Sequence, residues 1–277
     1  VSLLNAQPLG FWSPQSLVAD AQRHGVVVRR PDVNASAVLA TLSGTPENVH
    51  VRLGLVSVRG ITTEVAERIV AGRPWRDVTD LARRAGLRTA HLEALAAAGA
   101  IDGLGSSRRA LTWAAGAAAQ STPDRLEGVV TGTTAPSLPP PSELERVADD
   151  LWAMGLTTEA TAMALIRGDL TARGVTRAAS LAGAEARRVT VAGVVTHRQH
   201  PETAKGAVFL NLEDETGHVN VIFSKGAWVH WRTVASSSPV LLVRGTLERG
   251  QGSLALVAEY VEALALGESA PASRDWR

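Results

Sequence analysis

Apolar residues fall on every second position along 206–223, at Val208, Leu210 and Leu212, then again at Val219, Val221 and Phe223. The two series meet at Glu213-Asp214-Glu215-Thr216-Gly217, the pattern of two half-buried strands joined by a turn. Arg188–Thr196 alternates in the same way and exits into Arg198-Gln199-His200-Pro201. Beyond a short segment carrying Trp228 and Trp231 at helical spacing, two further strand patterns, Pro239–Leu247 and Ser253–Leu264, join at Arg249-Gly250-Gln251-Gly252. Upstream the period changes. Residues 1–36 open on a turn-rich stretch, continue as a helix near Pro14–His24 and a short strand around Val26–Arg30, and show no core of their own. Residues 49–120 read as helical, with breaks at Gly60, Gly72-Arg73-Pro74, Gly86 and Gly99. Ser121–Pro141 is rich in Ser, Thr, Pro and Gly, which predicts an extended, solvated linker. Ser142–Leu181 reads as a helical connector whose Ser142 and Glu145 have capping-box spacing.

Five short strands with a helical interruption after the third is the chain order of an OB-fold, a small barrel that binds single-stranded nucleic acid. The predicted class is therefore α+β and multidomain, a helical region followed by a five-stranded barrel. Within the helical region, Leu55–Val70 has the form of a helix-hairpin-helix. Gly60 permits the tight turn, Ile61 plugs the groove, and a helix capped by Thr62 or Thr63 aims its N-terminal N–H groups outward. Such an end accepts phosphate oxygens and grips a sugar–phosphate backbone without reading bases. Leu81–Leu95 looks like a second, degenerate copy, with Arg88 and Thr89 at the matching positions. Ordinary glycine-terminated turns in a bundle are the rival reading of both.

Composition narrows this picture. The 277 residues contain no cysteine, which excludes disulfides and cysteine-ligated zinc. No apolar run is long enough to span a membrane and no signal-peptide pattern opens the chain, so a cytoplasmic protein is expected. The net charge is +1, and Lys205 and Lys225 are the only lysines. With no broad basic field, binding must rest on local geometry.

Arg198, His200 and Lys205 fall together on the first barrel hairpin, with Lys225 opening the interrupting helix; nucleic-acid contacts and a solvated basic loop both fit them. Phe209 is the one aromatic of the second strand, read here as core over a base-stacking surface. Glu213, Asp214 and Glu215 read as a solvated turn, not as a metal site, because consecutive acids on a strand end point in alternating directions. The histidines show no metalloprotease or triad spacing.

At the level of whole blocks, the chain resembles the C-terminal part of the bacterial C-family DNA polymerase alpha subunit, most closely its error-prone branch. Leu4–Pro14 and Asp20–Val26 look like the end of that family's fingers region. Val51–Leu55, Val58–Ile61 and Ala98–Asp102 look like its tandem helix-hairpin-helix domain, and Val194–Pro201, Thr203–Gly206 and Leu212–Gly217 like its OB domain. Ala162 stands where related connectors often carry proline. The implied domains are a fingers remnant at 1–48, tandem hairpins at 49–120, a flexible linker at 121–141, a connector at 142–183, the barrel at 184–266 and a tail at 267–277.

The resemblance implies DNA as partner, duplex backbone at the hairpins and single-stranded template at the barrel, in error-prone translesion synthesis and repair. It also implies the neighbourhood of a sliding clamp and mutasome proteins. The family's catalytic carboxylates lie in a palm upstream of the fingers. No Asp-x-Asp occurs in this chain, so Mg²⁺ and polymerase chemistry are expected only in that missing palm. The opening Val1 fits a fragment, a truncated frame or a start codon read as valine. Two rivals stay open. One is a free-standing nucleic-acid-binding module, similar in its first strand and turn to the anticodon-binding barrel of aspartate- and lysine-type tRNA synthetases. The other is a protein-interaction module; Gln251-Gly252-Ser253-Leu254 has the leading Gln of a clamp-binding peptide but not its aromatic end.

Overall fold

A computed structural model describes residues 1–8, 12–105, 107–126, 129, 131–250, 254–265 and 274–276. The chain divides into two compact units, Val1–Glu159 and Ala160–Arg277.

The first unit begins with α1 (Ser2–Asn5) and α2 (Pro14–Arg23). The Ser13 hydroxyl caps α2 by accepting the Ser16 N–H at 3.0 Å, and Pro14 supplies a preset φ at the first helical position. Three short strands follow, β1 (Val28–Arg29), β2 (Thr41–Ser43) and β3 (His50–Arg52). β3 lies between the other two, parallel to β1 and antiparallel to β2. Two expectations are corrected here. Residues 49–54 are not helical, and no boundary falls at 48/49, since the sheet joins residues from both sides and Val18, Val28 and Val33 share one core with Leu55, Ile69 and Leu95.

The helices are α3 (Thr63–Ala71), α4 (Val78–Ala85), α5 (Thr89–Ala97), α6 (Arg108–Ala118) and α7 (Glu143–Met154). The predicted capping box opens α7, with the Glu145 N–H donating to the Ser142 hydroxyl and the Ser142 N–H to the Glu145 carboxylate. Arginines tie the bundle together. Arg84 lies over the Trp75 ring, 4.3 Å from its centre, and makes two hydrogen bonds to Asp80, at 2.7 and 3.0 Å. Those bonds hold the Asp80 carboxyl well below the usual carboxylate range. Arg108 is buried against Asp150, at 2.9 Å. Burial also pushes the Asp102 carboxyl up to about 6. Residues 121–141 carry no helix or strand where described, yet they are not simply solvated. Ser121 is buried, and Arg83 donates to the carbonyls of Arg125 and Pro123 while Arg109 donates to that of Pro139.

The second unit starts with α8 (Ala162–Leu165) and α9 (Arg167–Ala172), so the connector read at 142–183 is shared between the two units. The barrel follows as β4 (Arg188–Gln199), β5 (Val208–Asp214), β6 (Gly217–Phe223), α10 (Lys225–Ser237), β7 (Val240–Arg249) and β8 (Leu254–Ala263). The hydrogen-bonded order β4-β5-β6-β8-β7 returns to β4 and closes the barrel, with β6 and β8 parallel. Val191, Val195, Leu210, Leu212, Val221, Phe223, Val243 and Leu256 fill the interior. Closure needs near contact between strands. A Cβ on Gly193 would lie 2.9 Å from the Glu213 carbonyl oxygen, and one on Gly245 only 2.0 Å from that of Val257. A short strand β9 (Arg274–Trp276) pairs in parallel with His197–Gln199, so three residues of the segment read as tail add to the sheet.

Two expectations for the barrel change. Phe209 is half-buried and sits off the core face between Val208 and Leu210, which point inward. Glu213 and Asp214 are buried, not solvated. Asp214 accepts the N–H groups of Ala178, Thr216 and Gly217 and the Thr216 hydroxyl, between 2.7 and 3.0 Å. Buried Arg167 bonds Asp214 at 3.2 Å and both carboxylate oxygens of Glu215 at 2.6 and 2.8 Å.

Candidate nucleic-acid interface

The first hairpin is built from a single 3₁₀ turn (Leu55–Ser57), an extended link and α3, so its leading arm is shorter than the predicted helix. Val58 and Ile61 are buried plugs on either side of exposed Arg59 and Gly60. Gly60 has φ +75°, and a Cβ there would meet nothing within 4 Å, so only its backbone conformation demands glycine. Thr62 is extended and caps α3 through its hydroxyl, with Thr63 the first helical residue; both are exposed.

From its glycine onward the second hairpin repeats this order. Gly86 (φ +64°) ends α4 in the left-handed region, buried Leu87 is the plug, Arg88 is the extended cap position and Thr89 opens α5. It differs in how the helix end is dressed. Arg88 has no capping hydroxyl; its guanidinium lies 3.2 Å from His91 Nε2, and the Arg88 N–H donates to His91 Nδ1 at 3.3 Å. Burial and the Arg88 charge hold the buried His91 below its ordinary pKa.

On the barrel, the sequence-predicted residues separate. Arg198 is buried: its guanidinium donates to the carbonyls of Ala235 at 2.8 Å and Ser238 at 2.7 Å, at the C-terminal end of α10. Its assignment to an exposed hairpin is corrected. The cause is a bulge between Val195 and His197, which inverts the alternation and turns Arg198 inward. His200, Lys205 and Lys225 are exposed and do come together. The His200 ring lies 6.4 Å from that of Trp228, and Lys205 has φ +51° next to Gly206. A Cβ on Gly206 would sit 3.4 Å from the Lys225 stem. Thus both lysines of the chain flank one loop at the mouth of the β4–β5 hairpin.

Beside this cluster runs a polar ladder that sequence reading missed. Asn211 and Asn220 oppose each other on β5 and β6, joined by a 3.1 Å amide hydrogen bond. Thr196 donates to Asn211 Oδ1 at 2.9 Å, and His218 Nδ1 lies 3.1 Å from the same oxygen. With Phe209 and Ile222 half-exposed, this face combines amides, imidazoles and apolar surface. The hairpin register implied by the Glu-Thr-Gly turn was the signal that could have paired the two asparagines. Among the described residues no cluster of acids and histidines could hold a metal ion, and no helix is long and apolar enough to cross a membrane.

Hairpin and barrel together define a nucleic-acid-binding architecture. The profile described as helix-hairpin-helix motif matches residues 25–111, and that described as OB-fold nucleic acid binding domain matches residues 189–264. Along its whole length the chain is homologous to error-prone DNA polymerases. It is 48% identical to that of Mycolicibacterium paratuberculosis over 281 residues, covering 100% of this chain and 25% of the relative. The error-prone DNA polymerase of Mycobacterium tuberculosis gives the same identity and coverage, and that of Nocardia farcinica 48% over 288 residues, 99% of this chain and 25% of the relative. The chain therefore spans about a quarter of the length of the curated relatives it matches.

Proposed function

We propose that this chain is the DNA-holding portion of an error-prone DNA polymerase acting in translesion synthesis and repair. The two hairpins hold duplex backbone, and the barrel meets single-stranded template. The observation that carries this reading is the repetition, at Gly60–Thr63 and Gly86–Thr89, of a left-handed glycine, a buried plug and an exposed cap residue, Thr62 or Arg88. Two such helix ends suit phosphates of a duplex backbone, which carry no sequence information. Catalysis belongs to a palm outside this sequence, and with Mg²⁺ and nucleotides the chain should leave a primer unextended. A cytoplasmic location follows from the same reading, as does proximity to a sliding clamp and mutasome proteins. Gln251-Gly252-Ser253-Leu254 lacks the aromatic end of a clamp-binding peptide, and its first three residues lie outside the described residues.

Fluorescence anisotropy with labelled DNA tests the proposal. A duplex with a single-stranded template overhang should bind more tightly than a blunt duplex or a single strand of equal length. Equal affinity for all three, or no binding at low salt, would favour the protein-interaction reading. The barrel's share can be isolated. Replacing Lys205 and Lys225 together by Ala should reduce single-strand affinity and lower the slope of log affinity against log salt by about 1.4, the loss of two phosphate contacts on a single strand. Duplex affinity should fall less. An unchanged slope would return both lysines to a solvated loop.

A further inference from the structure

Arg59 differs from most arginines that organise this chain. Arg84, Arg108 and Arg167 are each neutralised by a carboxylate at hydrogen-bonding distance. Among the described residues no acid pairs with Arg59, which is exposed. It is nonetheless held at two points, both from the last turn of α7. Its backbone N–H donates to the Ala153 carbonyl at 2.7 Å, and its guanidinium carbon lies 5.1 Å from the centre of the Trp152 ring. Ala153 and Met154 are buried in the core, whereas Trp152 is 50% exposed. The indole therefore does little for the core; it rides on a firmly anchored turn and faces the hairpin. Between the two runs a cleft of about 580 Å³, lined on one side by Arg59, Gly60 and Thr62 and on the other by Trp152 and Gly155.

We propose that Trp152 is a positioning residue of the first hairpin, its indole holding the Arg59 guanidinium in place at the hairpin tip. A cation on a ring face keeps its full charge and its outward N–H donors, so this support orients Arg59 for a phosphate without neutralising it. Holding a long side chain before DNA arrives lowers the ordering cost of binding. α7, which lies beyond the linker and outside both hairpins in sequence, is then a working part of the grip. The second hairpin lacks this device: Ala85 stands where the first hairpin has Arg59.

The inference rests on the duplex-holding reading, and a four-protein cycle separates the two. Duplex affinity and its salt slope are measured for the whole chain, for Trp152→Ala, for Arg59→Ala and for the double variant. Arg59→Ala should lower the slope by about 0.9, one phosphate contact. Trp152→Ala should weaken binding about threefold, the size of an exposed cation–π contact, with the slope unchanged, and Trp152→Phe should regain part of the loss. In the Arg59→Ala background Trp152→Ala should cost nothing more. Equal losses in both backgrounds, or a slope lowered by Trp152→Ala, would overturn the positioning role. So would loss from Arg59→Ala with none from Trp152→Ala. No loss from Arg59→Ala sinks the phosphate-grip reading and this inference with it.

Discussion

Asp214→Ala should lower the stability of the barrel unit by about 4 kcal/mol, because it leaves buried donors without an acceptor and takes one of its two carboxylate partners from buried Arg167. Asp214 takes three backbone N–H groups, one hydroxyl and one Arg167 contact, and it does so while buried. One of those donors, Ala178, belongs to the 3₁₀ turn Ala178–Ser180 that leads into the barrel. The carboxylate thus closes the β5–β6 hairpin and fastens the incoming chain at once. Arg167→Met should cost about 2 kcal/mol, since Glu215 can rehydrate and Asp214 keeps its other donors. The double variant should cost less than the sum, as expected for groups in one network. Native-state hydrogen exchange of barrel amides in the whole chain resolves this unit. A loss below about 1 kcal/mol for Asp214→Ala would mean the acids behave as a solvated turn after all.

The second large effect is expected at the first hairpin. Gly60→Val should reduce duplex affinity about fivefold to thirtyfold while single-strand affinity stays within about twofold of wild type. The left-handed conformation at φ +75° costs a β-branched residue about 1–2 kcal/mol, and the exposed turn can shed that strain by leaving its DNA-ready shape. Since a Cβ at this position has open space around it, steric collision is not a competing cause. Gly60→Asn, which tolerates the same backbone, should stay near wild type. Wild-type affinity in the Val variant, with circular dichroism unchanged, would make Gly60–Ile69 a packing element only.

What could be read in advance followed from the length of each pattern. Strands of seven residues or more repeat their alternation enough times to be unmistakable, so the five-strand order and the hairpin at Thr216-Gly217 were legible. The strands at Val28–Arg29, Thr41–Ser43 and His50–Arg52 are too short to show a period, and their pairing depends on neighbours distant in sequence. Arg198 was placed on the wrong side because one inserted residue in a bulge reverses the facing of everything after it. Asp214 was misjudged for a different reason: an acid is buried only where cations and donors converge on it, and Arg167 lies 47 residues away. The hairpin glycines were legible because their role is local. The support under Arg59 was not, because Trp152 comes from beyond a long linker.

Strand β4 has a consequence for how the molecule is made. Its first half pairs with β7 and its second half with β5, so Arg188 must wait for Thr246 before half of its backbone bonds exist. During synthesis, the helices of the first unit can settle on contacts between near neighbours as they leave the ribosome. In the barrel the hairpins β4–β5 and β5–β6 can pair early, but closure cannot, because the cost of its longest loop falls due before β7 and β8 supply their contacts. Until then the unpaired edge and apolar face of β4 are open to any strand that passes. Translation slowed ahead of β7 should therefore raise aggregation of the nascent chain without altering the stability of the finished protein.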